Sequence, residues 1–517
     1  MHTHPRPGLG RRRFSSLLLS CPALSSSVSG TGAYAHGATF FPFSVASGDP
    51  LSDRVILWTR LARSATDPEP FATTAVPVRW LIAEDRALAH PVRTGTAHAR
   101  PESGFSVHVD VTGLLADRVY YYAFFFNGER SPVGRTRTLP APRALPTDAR
   151  FAVVCCQNWE NGYFDAYRDI VDQDLQFVLH LGDYIYDVTR GGGVRRHDRT
   201  ALPMTLDDYR ARHALYRTDP ALLAAHEAHP FILLPDNHDA LESAPHTQDE
   251  DRRRAAAYQA WYEFLPVRAP YRHADDRMQI YRSVELGTLA RLNLLDTRQY
   301  RDVETPCRQE SDGHFAFGVY EKACPAFAAD PLRSMLGKTQ EAWLDDRLRS
   351  TPSRWNILVS TVLMSPLRMT HAGDSYCYPG SWDGYDANRK RILDTIAEYR
   401  PANPLCLSGD LHSNLIAQVV RTADDGPEHG IMPEFLGTSI SSLWPAPLAT
   451  PIVQALPKNP HILHYDYQHR GYLLVTMTPG QLKVATRLMS FVDRSGGIAR
   501  TGQTFALLDG DRTIHTL

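Results

Sequence analysis

The first part of the chain has the hydrophobic pattern of an all-β domain. From Phe40 to about Leu139, short apolar runs are separated by Gly, Pro and Asp, which is typical of a small β-sandwich. These strand-like runs cover residues 55–58, 76–82, 105–111 and 119–126. A proline-rich stretch, residues 140–146, follows them and predicts a linker.

From Ala149 onward the pattern changes to apolar runs that alternate with amphipathic segments. Helices are predicted over residues 164–172, 251–264, 339–349 and 386–399. Buried strands are predicted over residues 151–155, 177–181, 231–234, 289–295, 355–363 and 405–407. Residues 471–477 and 482–486 predict a hairpin. This alternation indicates an α/β domain whose sheets are covered by helices.

The extreme N-terminus has the order of an export signal. Arg11, Arg12 and Arg13 precede Phe14, a leucine-rich stretch follows, and small residues end at Ala35. The paired arginines favour the twin-arginine route, so we expect a signal over residues 1–35 and an exported protein that is periplasmic, at the cell surface or secreted. A basic N-terminus without a targeting role and lipidation at Cys21 are the alternatives.

Composition and charge narrow the classes of partner. The 517 residues are 43% hydrophobic and 22% charged, as in globular proteins. Lys and Arg number 55 against 57 Asp and Glu, so the net charge of −2 predicts no stable nucleic-acid partner. No apolar run approaches the roughly 18 residues of a membrane span, so no transmembrane segment is expected. An anionic substrate then requires local positive charge or a metal.

Four predicted strands end in residues that bind metals. Their following segments begin at Cys156, at Gly182, at Asp236 and at Gly409. A single Asp, His or Cys at such a place is commonly a cap, a hydrogen-bonded residue or a small core residue. Because ligands gather at the carboxyl ends of strands in α/β sheets, the four segments together predict a metal site.

The residue types indicate which metals suit that site. Asp183 and Asp410 supply carboxylates, whereas Cys156, Tyr186 and His412 favour a transition metal over magnesium alone. A phenolate ligand points to ferric iron. Asp236, Asn237 and Asp239 supply the oxygen ligands that suit calcium. Two cations close together stabilise both the attacking and the leaving oxygen in a displacement at phosphorus.

These motifs, in this order, resemble those of the PhoD-like alkaline phosphatases, a family of metal-dependent phosphoesterases. The resembling stretches are residues 45–50, 57–60, 156–160, 180–186, 295–301, 382–385 and 408–413. The resemblance implies an N-terminal Ig/FnIII-like β-sandwich, residues 36–145 with the linker, followed by a metallophosphatase-type αββα sandwich, residues 146–517. It also implies a centre of Fe³⁺ and Ca²⁺, with another divalent metal as the alternative.

The resemblance also assigns roles to single residues. The residues that match the family's metal positions are Cys156, Asp183, Tyr186, Asp410 and His412, and the oxygen ligands Asp236 and Asn237 complete the expected set. His238 would stabilise charge in the transition state or assist the leaving group, and Asn237 would also bind substrate. Arg298 would contact phosphate or brace a loop. The family's WDDHE motif is changed here, because Asn237 replaces an acid and Asp239 a longer one. Glu242 and Ser243 stand where the family has a pair of asparagines after the motif, which leaves the number of metals open.

The predicted function is that of an exported alkaline phosphatase that releases inorganic phosphate from small phosphate monoesters, with diesters as a further candidate class of substrate. Attack by a metal-activated water is the expected mechanism. The main alternative is an exported phosphodiesterase or phospholipase D-like enzyme acting on nucleic acid, teichoic acid or phospholipid. The third hypothesis is a non-catalytic surface protein.

Three further segments carry smaller predictions. Asp251–Arg254 are expected to form a solvated helix start. Trp382–Tyr385 are expected either to form part of a lid or to cap the following helix. Cys307 and Cys324 flank a polar stretch that a disulfide between them would close.

Overall fold

The computed structural model describes residues 40–66, 72–197, 201–240, 247–268, 278–302, 314–315, 320–322, 328–371 and 374–517. The strands of these ranges are β1 (Val45–Gly48), β2 (Arg54–Arg60), β3 (Val76–Ala83), β4 (Pro91–Ala99), β5 (Ser106–Thr112), β6 (Val119–Phe126), β7 (Glu129–Arg130), β8 (Gly134–Arg137), β9 (Ala149–Val154), β10 (Phe177–His180), β11 (Pro230–Leu233), β12 (Arg282–Leu286), β13 (Ala290–Leu294), β14 (His314–Phe315), β15 (Tyr320–Lys322), β16 (Trp355–Val359), β17 (Met369–His371), β18 (Asp374–Cys377), β19 (Pro404–Ser408), β20 (Asn414–Val419), β21 (Met432–Leu436), β22 (Ile462–Asp466), β23 (Gly471–Met477), β24 (Gln481–Met489), β25 (Ala499–Leu508) and β26 (His515–Thr516). The helices are α1 (Ala166–Val171), α2 (Leu206–Tyr216), α3 (Pro220–Ala228), α4 (Asn237–Ala240), α5 (Gln248–Phe264), α6 (Gly337–Arg349), α7 (Asp386–Tyr399) and α8 (Ala446–Ala455).

Two large sheets form the body of the molecule. The ten-stranded sheet has the order β26-β25-β24-β23-β9-β10-β11-β1-β2-β5, and the seven-stranded sheet has the order β12-β13-β16-β19-β21-β20-β22. Strands β9, β10 and β11 are parallel, as are β13, β16, β19 and β21. One apolar core contains residues of both sheets, such as Phe151 and Ile357, so the sheets pack face to face.

Helices cover the outer faces of this pair of sheets. Leu344 of α6 and Ile392 of α7 pack with Leu358 and Cys406 of the seven-stranded sheet. Tyr167 of α1 and other residues of α1 and α3 join the core of the ten-stranded sheet. The predicted αββα sandwich is confirmed.

The first strands form the predicted β-sandwich. Strands β3, β4, β6, β7 and β8 make a five-stranded antiparallel sheet. Its inner residues, including Val78 and Tyr122, pack on Val55 and Leu57 of β2. The other layer, however, is not a separate sheet, because Ser47 of β1 pairs with Pro230 of β11 and so continues the ten-stranded sheet.

Several predicted elements are confirmed and others were not foreseen. Helix α7 has its predicted bounds, and α5 begins three residues before the predicted start, after its N-cap Thr247. The predicted C-terminal hairpin is β23 and β24. Helix α2 was not predicted, because buried Arg212 and His213 interrupt its apolar pattern. Helix α8 was not predicted, because it contains Pro451. Trp382–Tyr385 form a largely buried 3-10 turn that leads directly into α7.

The prediction of a solvated helix start is wrong for Arg253. Its side chain is buried and its guanidinium pairs with Asp187. Its neighbour Arg252 is exposed, as expected. The predicted export signal, Glu242, Ser243, Cys307 and Cys324 lie outside the described residues. Within the described ranges, no helix has both the length and the apolar character to cross a membrane.

Candidate metal centre

The four predicted segments meet where the parallel strands end. Three of them follow β9, β10 and β11, which are neighbours in the ten-stranded sheet, and the fourth follows β19 of the facing sheet. Four of their residues have positive φ, which is uncommon outside glycine: Cys156, Asp183, Asp410 and His412. Such backbone conformations gather at functional sites, where the surrounding structure holds them.

Gly182 allows two of these segments to approach each other. Its φ is +98°, and a Cβ added to it would lie 2.3 Å from the Cβ of Asp236. A larger residue would therefore push the segment after β10 away from the segment after β11.

One group of ligands is compact. The ligand atoms of Cys156, Asp183 and His412 all lie within 4.8 Å of one another. The Tyr186 hydroxyl lies 3.0 Å from His412 Nε2 and 2.7 Å from Ser442 Oγ. Burial raises the pKa of the Cys156 thiol and of the Tyr186 phenol well above their usual values. Both groups are therefore neutral unless a nearby cation stabilises their anions.

His412 is held by a contact on its far side. Its Nδ1 lies 3.1 Å from the Leu443 carbonyl oxygen, which leaves Nε2 directed toward Tyr186. Burial lowers the pKa of His412 to about 3, so the ring is neutral and able to act as a ligand. A carbonyl that accepts from one ring nitrogen while the other faces the metal is a common arrangement for metal-binding histidines.

A second group of oxygens lies beside the first. Arg298 Nε donates to Asp236 Oδ1, and Arg298 Nη2 lies 3.4 Å from Asn237 Oδ1 and 3.6 Å from Asp410 Oδ1. Tyr378 donates to Asp410 Oδ2 over 2.7 Å. Asp236 Oδ2 is buried and has no hydrogen-bond partner among the described residues. An orphaned carboxylate oxygen of this kind suits a cation.

The electrostatics of the carboxylates also suit a cation. Burial, with the added repulsion of Asp236, raises the pKa of Asp410 to about 8. Burial and Asp236 likewise raise the pKa of Asp183 to about 6, despite the opposing effect of His238. Packing several carboxylates into a buried site is unfavourable without compensating positive charge. The residues present therefore fit a bound metal on geometric and electrostatic grounds.

His238 lies at the edge of this group. Its backbone N–H donates to Asp183 Oδ1 over 3.1 Å, and its ring stacks on Tyr186 with centroids 4.3 Å apart. Its Nδ1 lies 2.8 Å from Asp187 Oδ1. Burial lowers the pKa of His238, but the carboxylates of Asp183 and Asp187 outweigh that effect and raise it to about 9.

Sequence reasoning missed residues that support these groups. Asp187 directly follows the expected ligand Tyr186, so its place in the motif was a usable signal. Ser442 contacts the Tyr186 hydroxyl and the Cys156 carbonyl, and buried Arg470 donates to the Ser442 carbonyl. Ser442 and Arg470 follow no recognisable motif. Asp239, expected as a calcium ligand, instead accepts from the backbone N–H groups of Ile185 and Asp236.

Comparisons with known proteins agree with this site and fold. Residues 151–486 match the model of the PhoD-like phosphatase family, and residues 26–140 match that of the PhoD-like phosphatase N-terminal domain. The chain is 38% identical to alkaline phosphatase D of Bacillus subtilis (strain 168) over 480 residues, covering 90% of this chain and 80% of that protein. A solved structure of PhoD is 37% identical and superposes with a TM-score of 0.84, covering 93% of this chain and 92% of that one. The chain therefore belongs to the PhoD-like phosphatase family and is a phosphatase of the alkaline phosphatase D type.

Proposed function

We propose that this phosphatase is an exported, metal-dependent enzyme that hydrolyses small phosphate monoesters and releases inorganic phosphate. The observation that carries the proposal is the convergence of Cys156, Asp183 and His412, with ligand atoms within 4.8 Å of one another. Tyr186 adds a phenol oxygen to this group. Soft and hard ligands in one cluster favour a transition metal.

The proposal assigns the metals to the two groups of side chains. Cys156, Asp183, Tyr186 and His412 would hold a transition metal, for which we propose Fe³⁺ because a phenolate ligand favours it. Asp236, Asn237 and Asp410, with Asp183 between the groups, offer the oxygens that Ca²⁺ prefers. Another divalent metal is the alternative in either place. When bound, the pair would neutralise phosphate oxygens and lower the pKa of an attacking water.

The chain's own residues would orient the ester and supply a proton. His238 has its Nδ1 tied to Asp187, so its Nε2 is the ring nitrogen that remains for a substrate. The pKa of about 9 keeps this ring protonated near neutral pH, as a proton donor to a leaving group requires. We propose Asn237 and Arg298 as phosphate contacts. The ion pair of Arg298 with Asp236 also gives it a bracing role.

Metal content and substrate preference together test the proposal. Protein purified without added metal is expected to contain about one iron per chain together with calcium, measured by elemental analysis. It is expected to hydrolyse an aryl phosphate monoester faster than the matching diester. Zinc alone, or no metal, would overturn the metal assignment. Faster diester turnover would replace the monoesterase with the phosphodiesterase.

We also propose the export route and the division of the chain. Residues 1–35 would be a twin-arginine signal, residues 36–145 the N-terminal sandwich and linker, and residues 146–517 the metallophosphatase domain. The arginines at positions 11 to 13 support the route. Replacing Arg12 and Arg13 by lysine is expected to retain the protein inside the cell, as measured by fractionation; unchanged export would exclude this route.

A further inference from the structure

A buried arginine is connected through one carboxylate to His238, the proposed proton donor. Arg253 lies in the second turn of α5, and its Nη2 is 3.2 Å from Asp187 Oδ2. Its Nε donates to the Pro203 carbonyl over 2.7 Å. The other carboxylate oxygen, Asp187 Oδ1, lies 2.8 Å from His238 Nδ1. Asp187 thus bridges Arg253 and His238 through its two oxygens.

Two of the three side chains in this bridge are buried. The side chains of Arg253 and Asp187 are only 4% and 6% exposed, whereas that of His238 is 21% exposed. A buried carboxylate with one partner removed is strongly unfavourable, so Asp187 depends on the guanidinium for its place. The imidazole ring in turn contacts Asp187 and stacks on Tyr186.

We propose that Arg253 is a positioning residue for the hydrolysis: through Asp187, it holds His238 Nε2 toward the leaving-group oxygen of the ester. This inference rests on the proposed phosphomonoesterase function. In the step concerned, the bond from phosphorus to the ester oxygen breaks while a bond to the oxygen of water forms. The electron pair of the broken bond stays on the ester oxygen, which takes the Nε2 proton, and the water's proton passes to solvent.

Leaving-group dependence separates this role from a purely structural one. Phenyl phosphate has a leaving group that needs a proton, whereas the leaving group of dinitrophenyl phosphate departs without one. For Arg253→Met we expect kcat on phenyl phosphate to fall by about 10- to 100-fold, a part of the roughly 10²- to 10⁴-fold that such proton transfer supplies. On dinitrophenyl phosphate we expect kcat within about twofold of wild type, with metal content unchanged.

The neighbouring arginine provides a matched control. Arg252 lies on the same helix, but its side chain is 69% exposed and pairs with Asp249 at the surface. Arg252→Met is therefore expected to match wild type on both esters. Arg253→Lys keeps the charge and is expected to show a smaller loss of kcat that is again selective for phenyl phosphate. This variant replaces Arg253→Met in the test if Arg253→Met does not fold.

A double-mutant cycle tests whether Arg253 acts through Asp187. Adding Arg253→Met to Asp187→Asn is expected to lower kcat on phenyl phosphate little further, because both changes break the same connection that orients the His238 ring. Equal losses on the two esters, or an Arg253→Met variant that matches wild type on both, would overturn the inference. A wild-type protein that hydrolyses neither ester would instead refute the proposed function.

Discussion

At the scale of single residues, backbone conformation places the proposed ligands. Cys156, Asp183, Asp410 and His412 each follow a strand and each take positive φ. This conformation turns the chain sharply after the strand, and it is unfavourable for residues with a Cβ. Four such residues around one cluster indicate that the surrounding structure holds these side chains in place before any substrate binds.

Asp183 is the residue whose loss we expect to damage the centre most. It belongs to the compact ligand cluster and its Oδ1 also accepts from the His238 backbone. Asp183→Ala is expected to leave a folded protein with reduced metal content. We expect turnover of an aryl phosphate to fall by more than the roughly 10- to 100-fold that loss of an outer-shell partner costs.

Asp174→Ala is a suitable control for this variant. Asp174 lies just before β10, the strand that Asp183 follows. Its side chain is 76% exposed and pairs with Arg135. The control is expected to keep wild-type turnover and metal content. Near-normal activity in Asp183→Ala would show that the metal centre lies elsewhere.

At the scale of elements, the start of α3 is tied to the segment that follows β9. Asp219 is the N-cap of α3, and its Oδ1 accepts from the N–H groups of Ala221 and Leu222. Its Oδ2 pairs with Arg195 Nη1 at 2.7 Å, and that guanidinium stacks on Trp159 at 3.7 Å. Trp159 lies three residues after the proposed ligand Cys156, so one helix cap also braces the segment that holds this ligand.

Removing this cap is expected to destabilise the protein. Asp219→Ala removes the cap, worth about 1 kcal/mol, and leaves the buried Arg195 unpaired, so we expect the free energy of unfolding to fall by about 3 kcal/mol or more. Asp219→Asn keeps a capping oxygen and is expected to lose less. Denaturant unfolding measures both effects.

Asp207 offers a comparison at the start of another helix. It lies in the first turn of α2, its side chain is 83% exposed, and it pairs with Arg210. Asp207→Ala is expected to change the free energy of unfolding by less than about 1 kcal/mol. If Asp219→Ala were as mild as Asp207→Ala, Asp219 would have no bracing role.

At the scale of the whole molecule, buried neutral histidines make stability depend on pH. Burial lowers the pKa of His213 and His180 to about 3 and that of His229 to about 4. The folded state therefore binds fewer protons than the unfolded state below the ordinary histidine pKa of 6.5. Each such histidine stabilises the fold above pH 6.5, and this contribution is lost as pH falls toward the lowered pKa.

The effect is best measured as a difference, because some carboxylates act in the opposite sense. Burial raises the pKa of Asp383 to about 7, so its contribution to stability is present at low pH and is lost as pH rises toward that value. His229→Gln keeps a donor for the Ile170 carbonyl that His229 Nε2 contacts. Between pH 6.5 and 4, we expect its unfolding free energy to depend less on pH than that of wild type, by up to about 1.4 kcal/mol per pH unit.

An exposed histidine gives the control for this comparison. The His429 side chain is 67% exposed. His429→Gln is expected to keep the wild-type dependence of unfolding free energy on pH. An identical dependence in His229→Gln would mean that His229 is not held neutral in the fold.

The local sequence determined much of this protein. The period of apolar residues predicted the alternation of strands and helices, because burial on one face of an element leaves a regular pattern along the chain. The residues after the strands predicted a cluster of candidate metal ligands, and the structure brings Cys156, Asp183 and His412 of that set within 4.8 Å of one another, since parallel strands bring their carboxyl ends to one edge. The family motifs predicted the class of enzyme, which the comparisons confirm.

Only the tertiary structure decided which distant residues meet. The continuation of the ten-stranded sheet into β1 depends on the pairing of Ser47 with Pro230, and no local pattern encodes a pairing over such a separation. The burial of Arg253 is a similar case, because the sequence around it has the composition of a solvated helix start. Its partner Asp187 is distant in the chain, and the energy of an ion pair depends on distance and burial in space.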